Sequence, residues 1–133
     1  MNDIPEYRRP AKDQLYRVNY EYQGGNSCSS CEAGGLEERP LRSVGCEVVA
    51  HYGTIASANV VMKDAVERDR YAQDPELNVL CFEMEAAGLM NNFPCIVIRG
   101  ICDYSDSHKN DEWHKYAART AAAYARELLR SCI

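Results

Sequence analysis

The chain has 133 residues, 15 Lys+Arg against 20 Asp+Glu and a formal net charge of -5, which leaves room for one small domain, or a piece of a larger one, and not for two. With 46% hydrophobic and 26% charged residues it can bury a core, so disorder throughout is excluded, and its acidic balance, with no basic cluster interleaved with aromatics, excludes a nucleic-acid groove. No apolar run approaches the roughly 20 residues of a membrane span, and Asp3, Glu6, Arg8 and Arg9 follow Met1 where a signal peptide would be apolar.

Residues 1–45 hold Pro5, Pro10, Gly24, Gly25, Gly34, Gly35 and Pro40 among scattered charges, without sustained periodicity, and are expected to be mostly irregular. Within them Cys28 and Cys31 form a CxxC, a spacing shared by zinc sites and dithiol redox sites. Only Cys46 and His51 are near in sequence and neither has paired spacing, so a plain loop is expected, with no metal and no cofactor. The seven cysteines are an odd number, and Cys81, Cys95 and Cys102 sit in apolar runs. That usage fits a reduced, cytoplasmic protein.

From residue 46 to 133 the pattern becomes strand and helix. Residues 48–58 (VVAHYGTIASA) suit a strand carrying a glycine, and 62–73 a short surface helix with a thin apolar stripe. Residues 78–83 read as a buried strand leading into a helix over 85–92, which Pro94 stops. Residues 95–102 (CIVIRGIC) lack alternation and predict a central strand covered on both faces. The polar DYSDSHKND then precedes a helix over 111–130, with Trp113, Tyr116, Ala117, Thr120, Ala121, Tyr124 and Leu128 on one face. The alternation predicts an α/β layered domain with its ligands at the carboxyl ends of the strands.

Two such ends carry chemistry-bearing residues. Glu83 and Glu85 lie where a strand passes into a helix, and residues two apart on a helix diverge by about 200°, so at most one faces a ligand. The bland reading is a helix cap. Asp103 closes an apolar strand four residues after Arg99 and is a candidate general acid, or an Asp capping the turn that follows. His51 reads as a core histidine. Trp113 reads as an anchor for the last helix that could also wall a base-sized pocket.

Three strings in order, HYGTIAS from His51, FEMEAAG from Phe82 and VIRGICDYSDSHKN from Val97, make residues 51–129 resemble the purine/uridine phosphorylase superfamily. The likeness is closest to fungal nucleoside phosphorylase-like domains, related to methylthioadenosine/S-adenosylhomocysteine nucleosidases. It implies the C-terminal half of a three-layer α/β/α sandwich that binds purine nucleosides and cleaves their N-glycosidic bond. The enzyme would be a glycosyltransferase (phosphorylase, with inorganic phosphate as co-substrate) or a hydrolase.

By that resemblance Asp103 meets the purine N7 as the catalytic acid, Glu85 holds the ribose hydroxyls, and Met84 packs on the sugar. Glu83, Arg99, Cys102 and Trp113 stand around them. Val61 and Met62 take positions where relatives place a base-stacking Phe and an aliphatic neighbour, and Cys102 replaces a common Ser. The family's phosphate loop and arginines belong to an earlier half that residues 1–50 do not match, so the isolated chain is expected to be incomplete, part of a larger parent chain or a homo-oligomer. The alternative is a nucleoside-sensing or interaction module of a signalling protein that turns nothing over.

Overall fold

In the computed structural model, residues 4–25, 28–40, 42, 43, 45 and 48–132 are described. Two strands, β1 (Thr54–Ser57) and β2 (Val79–Glu83), pair in parallel with Ile55 opposite Cys81 and Ser57 opposite Glu83. A parallel pair needs a crossover, and α1 (Ala65–Ala72) supplies it. Asp64 starts that helix by accepting the Val66 and Glu67 amides at 2.8 and 3.1 Å, an N-cap that satisfies two otherwise unbonded donors. Helix α2 (Ala86–Met90) follows β2 directly, and α3 (His114–Ser131) is led in by a 3-10 turn at Asp111–Trp113.

This is a small mixed α/β arrangement with one two-stranded parallel sheet and three helices. The expected sandwich exceeds it in one definite way. Residues 95–102 belong to neither strand, which overturns the reading of a central strand. β-Branched apolar content reports burial, whereas a strand is defined by ladder bonds. Here Ile96 and Ile101 are exposed, and the segment instead lies on α3. A Cβ on Gly100 would collide with the Ala117 carbonyl, so glycine alone allows the two backbones to approach this closely. The first strand is also shorter than expected, beginning at Thr54 rather than at 48.

Residues before 45 contain no α-helix or strand among those described, only 3-10 turns and an isolated antiparallel bridge between Tyr16 and Leu36. They are nevertheless bound to the rest. Trp113 Nε1 donates to the Lys12 carbonyl at 3.1 Å, Lys115 pairs with Glu6, and Arg119 reaches the Tyr7 carbonyl at 3.4 Å. Among the described residues the buried apolar ones are few: Val79 in β2, Ala86 at the start of α2, Ala117 in α3 facing Gly100, and Tyr16 in the N-terminal segment, stacked on His108.

Substituting Gly100 by Ala tests the close approach. Because the clash is with backbone, α3 must shift, and a loss of about 1–3 kcal/mol, the usual cost of overpacking, is expected in chemical denaturation. An unchanged midpoint would mean that the segment does not rest on α3 in solution.

Candidate functional site

A cleft of about 360 Å³ lies along β2 and reaches its carboxyl end at Glu83 and Met84. Its lining includes Val60, Val61 and Met62 from the β1–α1 connection, Glu83 and Met84 from the end of β2, and Arg99, Cys102, Asp103 and Lys109 from the segment before α3. The structure therefore brings together Val61, Met62, Glu83, Met84, Arg99, Cys102 and Asp103. It leaves Glu85 and Trp113 out of the lining. Trp113 instead packs edge-on to Tyr116 at 5.7 Å with Arg9 over its ring.

The two glutamates separate as their spacing demands, with roles that differ from expectation. Glu83 is 5% exposed, and its Oε2 accepts the Glu85 and Ala86 amides, both at 2.8 Å. These are free donors at the start of α2, so Glu83 is the cap. Its Oε1 is buried without a partner of hydrogen-bonding geometry, although the Ser57 hydroxyl is close enough to help hold the charge. Burial pushes the Glu83 carboxyl up, but Ser57, the two amides and the Arg99 guanidinium outweigh it and hold it below its ordinary value. Glu85 is exposed, one residue past Met84, its Oε2 accepting only the Met84 amide at 3.2 Å.

Asp103 is engaged on both oxygens. Oδ1 accepts the Ser105 amide at 2.8 Å, closing an Asx turn in which Ser105 takes a positive φ of 54°, and Oδ2 lies 3.0 Å from Lys109 Nζ. The turn-capping reading thus holds of Asp103, whose side chain also lines the cleft. Cys102 Sγ stands 3.9 Å from Asp103 Oδ2, and burial raises the Cys102 thiol. With His114 these two form a group whose donor atoms lie within 4.8 Å of one another, the one such trio among the described residues.

Several residues that hold this loop carry no motif of their own. Arg68, from α1, donates to the Tyr104 carbonyl at 2.9 Å while pairing with Asp69 at 2.7 Å. Tyr104 donates its hydroxyl to Asp13 Oδ1 at 2.6 Å and accepts from Arg39 at 2.6 Å, with the Arg39 guanidinium also 5.2 Å over its ring. Burial raises Asp13, but Tyr104 and then Arg39 prevail and its carboxyl is lowered. In sequence the N-terminal segment shows only scattered charges among prolines and glycines, with no spacing that couples it to this loop.

No protein-family model matches the chain, and no solved structure matches it. It is 47% identical over 129 residues, 96% of its length, to a nucleotide-binding leucine-rich repeat (NLR)-like protein of Hyaloscypha variabilis. It is 32% identical over 110 residues, 74% of its length, to the ATP nucleosidase Cap17 of Escherichia coli. The chain spans 12% of the first relative and 21% of the second. Together they point to a nucleosidase-related segment. No described helix is long and apolar enough to cross a membrane.

The Glu83 cap gives a prediction whose sign follows from its lowered carboxyl. A group depressed on folding contributes stability above its ordinary value, 4.5, and that contribution is lost as pH falls through the folded value. Glu83→Gln should therefore destabilise the chain by about 1–2 kcal/mol at neutral pH, the usual worth of a cap, and by progressively less below pH 4.5. Equal destabilisation at neutral and acid pH, in urea unfolding, would show that the carboxylate charge is not what holds α2.

Proposed function

We propose that the chain forms the base- and sugar-binding part of a nucleosidase-type site that cleaves the N-glycosidic bond of a purine nucleoside or nucleotide. The observation that carries this is the cleft at the carboxyl end of β2, which gathers Met84, Arg99, Asp103 and Lys109 with apolar Val61 and Met62 in one lining. Apolar walls with a few convergent polar groups suit a flat heterocycle with a hydroxylated sugar. The likeness to the ATP nucleosidase Cap17 supports the same reaction class.

Cleavage passes through an oxocarbenium-like transition state. The bond from the sugar carbon to N9 breaks with its electron pair leaving on the base, N7 takes a proton, and water or inorganic phosphate adds to the sugar carbon. Asp103 faces N7, and a proton from Lys109 Nζ, 3.0 Å from Asp103 Oδ2, passes through that carboxyl to N7 as the base leaves, with Lys109 left neutral until it takes a proton from solvent. Glu83 is committed to α2, and Glu85, exposed one residue past Met84 and outside the cleft lining, keeps the role of gripping the sugar hydroxyls that the family resemblance implies, which requires the sugar to extend beyond the cleft. Val61 and Met62 cover the base without an aromatic ring.

A second reading has its own support. The NLR-like relative, 47% identical, favours a module that binds a nucleoside or nucleotide as a signal without cleaving it, and in Asp103 both oxygens already have partners.

Purine release from ATP, adenosine and inosine, with and without phosphate, separates the two. With cleavage, Asp103→Asn lowers turnover by about 100-fold or more while binding survives, because the acid acts in the transition state. Glu85→Gln weakens binding as well, since hydrogen bonds to sugar hydroxyls act in the ground state too. Saturable binding with no release identifies the sensor, and intact release by the Asp103 variant removes Asp103 as the acid.

A further inference from the structure

Cys102 and Asp103 follow one another in the segment before α3, and both line the cleft. The thiol faces the carboxylate, with Cys102 Sγ donating to Asp103 Oδ2 across 3.9 Å. His114, the first residue of α3, brings a ring nitrogen to the same point, so that the sulfur, one carboxylate oxygen and the nitrogen all lie within 4.8 Å of one another. Three chemically different donors thus converge from two parts of the chain. Cys102 and Asp103 are half-buried and His114 is exposed, so an ion can enter from solvent.

Thiolate sulfur, imidazole nitrogen and carboxylate oxygen are the donors that zinc accepts, with bonds of about 2.3 Å to sulfur and about 2.0–2.2 Å to nitrogen and oxygen. Around a tetrahedral ion such donors stand roughly 3.4–3.6 Å apart. The 3.9 Å between Cys102 and Asp103 is close to that, and the exposed ring of His114 closes the rest by rotating about its own side-chain bonds. We propose that Cys102, Asp103 and His114 form a zinc site, with water in the fourth position. On binding, the Cys102 thiol gives up to solvent the proton it directs at Asp103, and zinc takes that proton's place between sulfur and carboxylate. His114 contributes a lone pair, and no electrons change hands.

Lys109 Nζ, 3.0 Å from Asp103 Oδ2, is the group that competes. A carboxylate oxygen carries two lone pairs, so one bond from Lys109 does not exhaust it, but an ammonium beside a divalent ion repels it. Lys109 therefore lowers the affinity, and its removal tightens the site, the reverse of what removing a ligand does. The other thiol pair, Cys28 and Cys31, has no third donor within the same reach among the described residues. The site stands on donor geometry and holds whether or not the cleft cleaves a nucleoside. An ion held there takes the carboxylate assigned to N7, so the metal-bound cleft is closed to that proton transfer.

The test is titration of the reduced full chain with Zn²⁺ and with Co²⁺ alone, followed by metal analysis after desalting. Stoichiometric zinc is expected, with a tetrahedral cobalt spectrum that carries thiolate charge transfer. Cys102→Ser should abolish the charge-transfer band. Asp103→Asn and His114→Ala should each weaken zinc by at least the roughly 10-fold that losing a partner behind a ligand costs, whereas Lys109→Ala should strengthen it several-fold. Cys28→Ser with Cys31→Ser should leave uptake unchanged. In case the variants do not fold, alkylation of the unaltered chain gives a second readout: zinc should protect Cys102 while the exposed Cys95 and Cys132 still react. No uptake, a charge-transfer band that survives loss of Cys102 or needs Cys28 and Cys31, affinity unchanged by loss of Asp103 or His114, affinity not raised by loss of Lys109, or an unprotected Cys102 would each overturn it.

Discussion

The carboxylate of Glu83 is the interaction on which the rest of the site depends. It ends β2, lies buried, and accepts the two amides that open α2. A helix of five residues is far below the length that holds itself together in water, so α2 exists because the strand's last side chain bonds its free donors. That junction sets where Met84 and Glu85 emerge, and therefore what that end of the cleft offers a ligand. The Ser57 hydroxyl accepts the next amide, from Ala87, at 3.0 Å, so both strands of the parallel pair contribute to the same helix start.

The loop that completes the lining is held by charge rather than by apolar packing. The loop carrying Asp103 is tied to α1 through Arg68 and to the N-terminal segment through Tyr104, Asp13 and Arg39. Networks of this kind fix geometry when every member is satisfied, and their partners come from distant parts of the chain. With few buried apolar residues among those described, such directional bonds carry an unusual share of the positioning.

What could be read in the sequence follows from this division. Local signals were legible: the run at Val79–Glu83, the helix formers after it, and the amphipathic face of α3 at Tyr116, Ala117 and Thr120 all appear as elements where the pattern placed them. The grouping of Val61, Met62, Glu83, Met84, Arg99, Cys102 and Asp103 about one cleft was likewise expected, from a likeness in motif order. Long-range pairings were not legible. Nothing in CIVIRGIC distinguishes a ladder-bonded strand from a segment resting on a helix through Gly100. No spacing rule couples Arg39 to Tyr104, or Tyr16 to His108. Glu83 and Glu85 could be separated by geometry in principle, but which of them would cap and which would stay exposed depended on the burial of the strand end.

The N-terminal segment has a consequence for how the molecule opens. Tyr16 and Tyr20 cover His108, and Asp13 with Arg39 holds Tyr104, so His108 and Tyr104 can come fully free only after the N-terminal segment has moved, although Ser107 between them is already exposed. Amide hydrogen exchange at Tyr104 and His108 is thereby expected to depend on opening of the N-terminal segment. A chain clipped between residues 40 and 50 would keep its strands and helices in sequence, yet its Asp103 loop would fluctuate on the timescale of a surface loop instead of a core element.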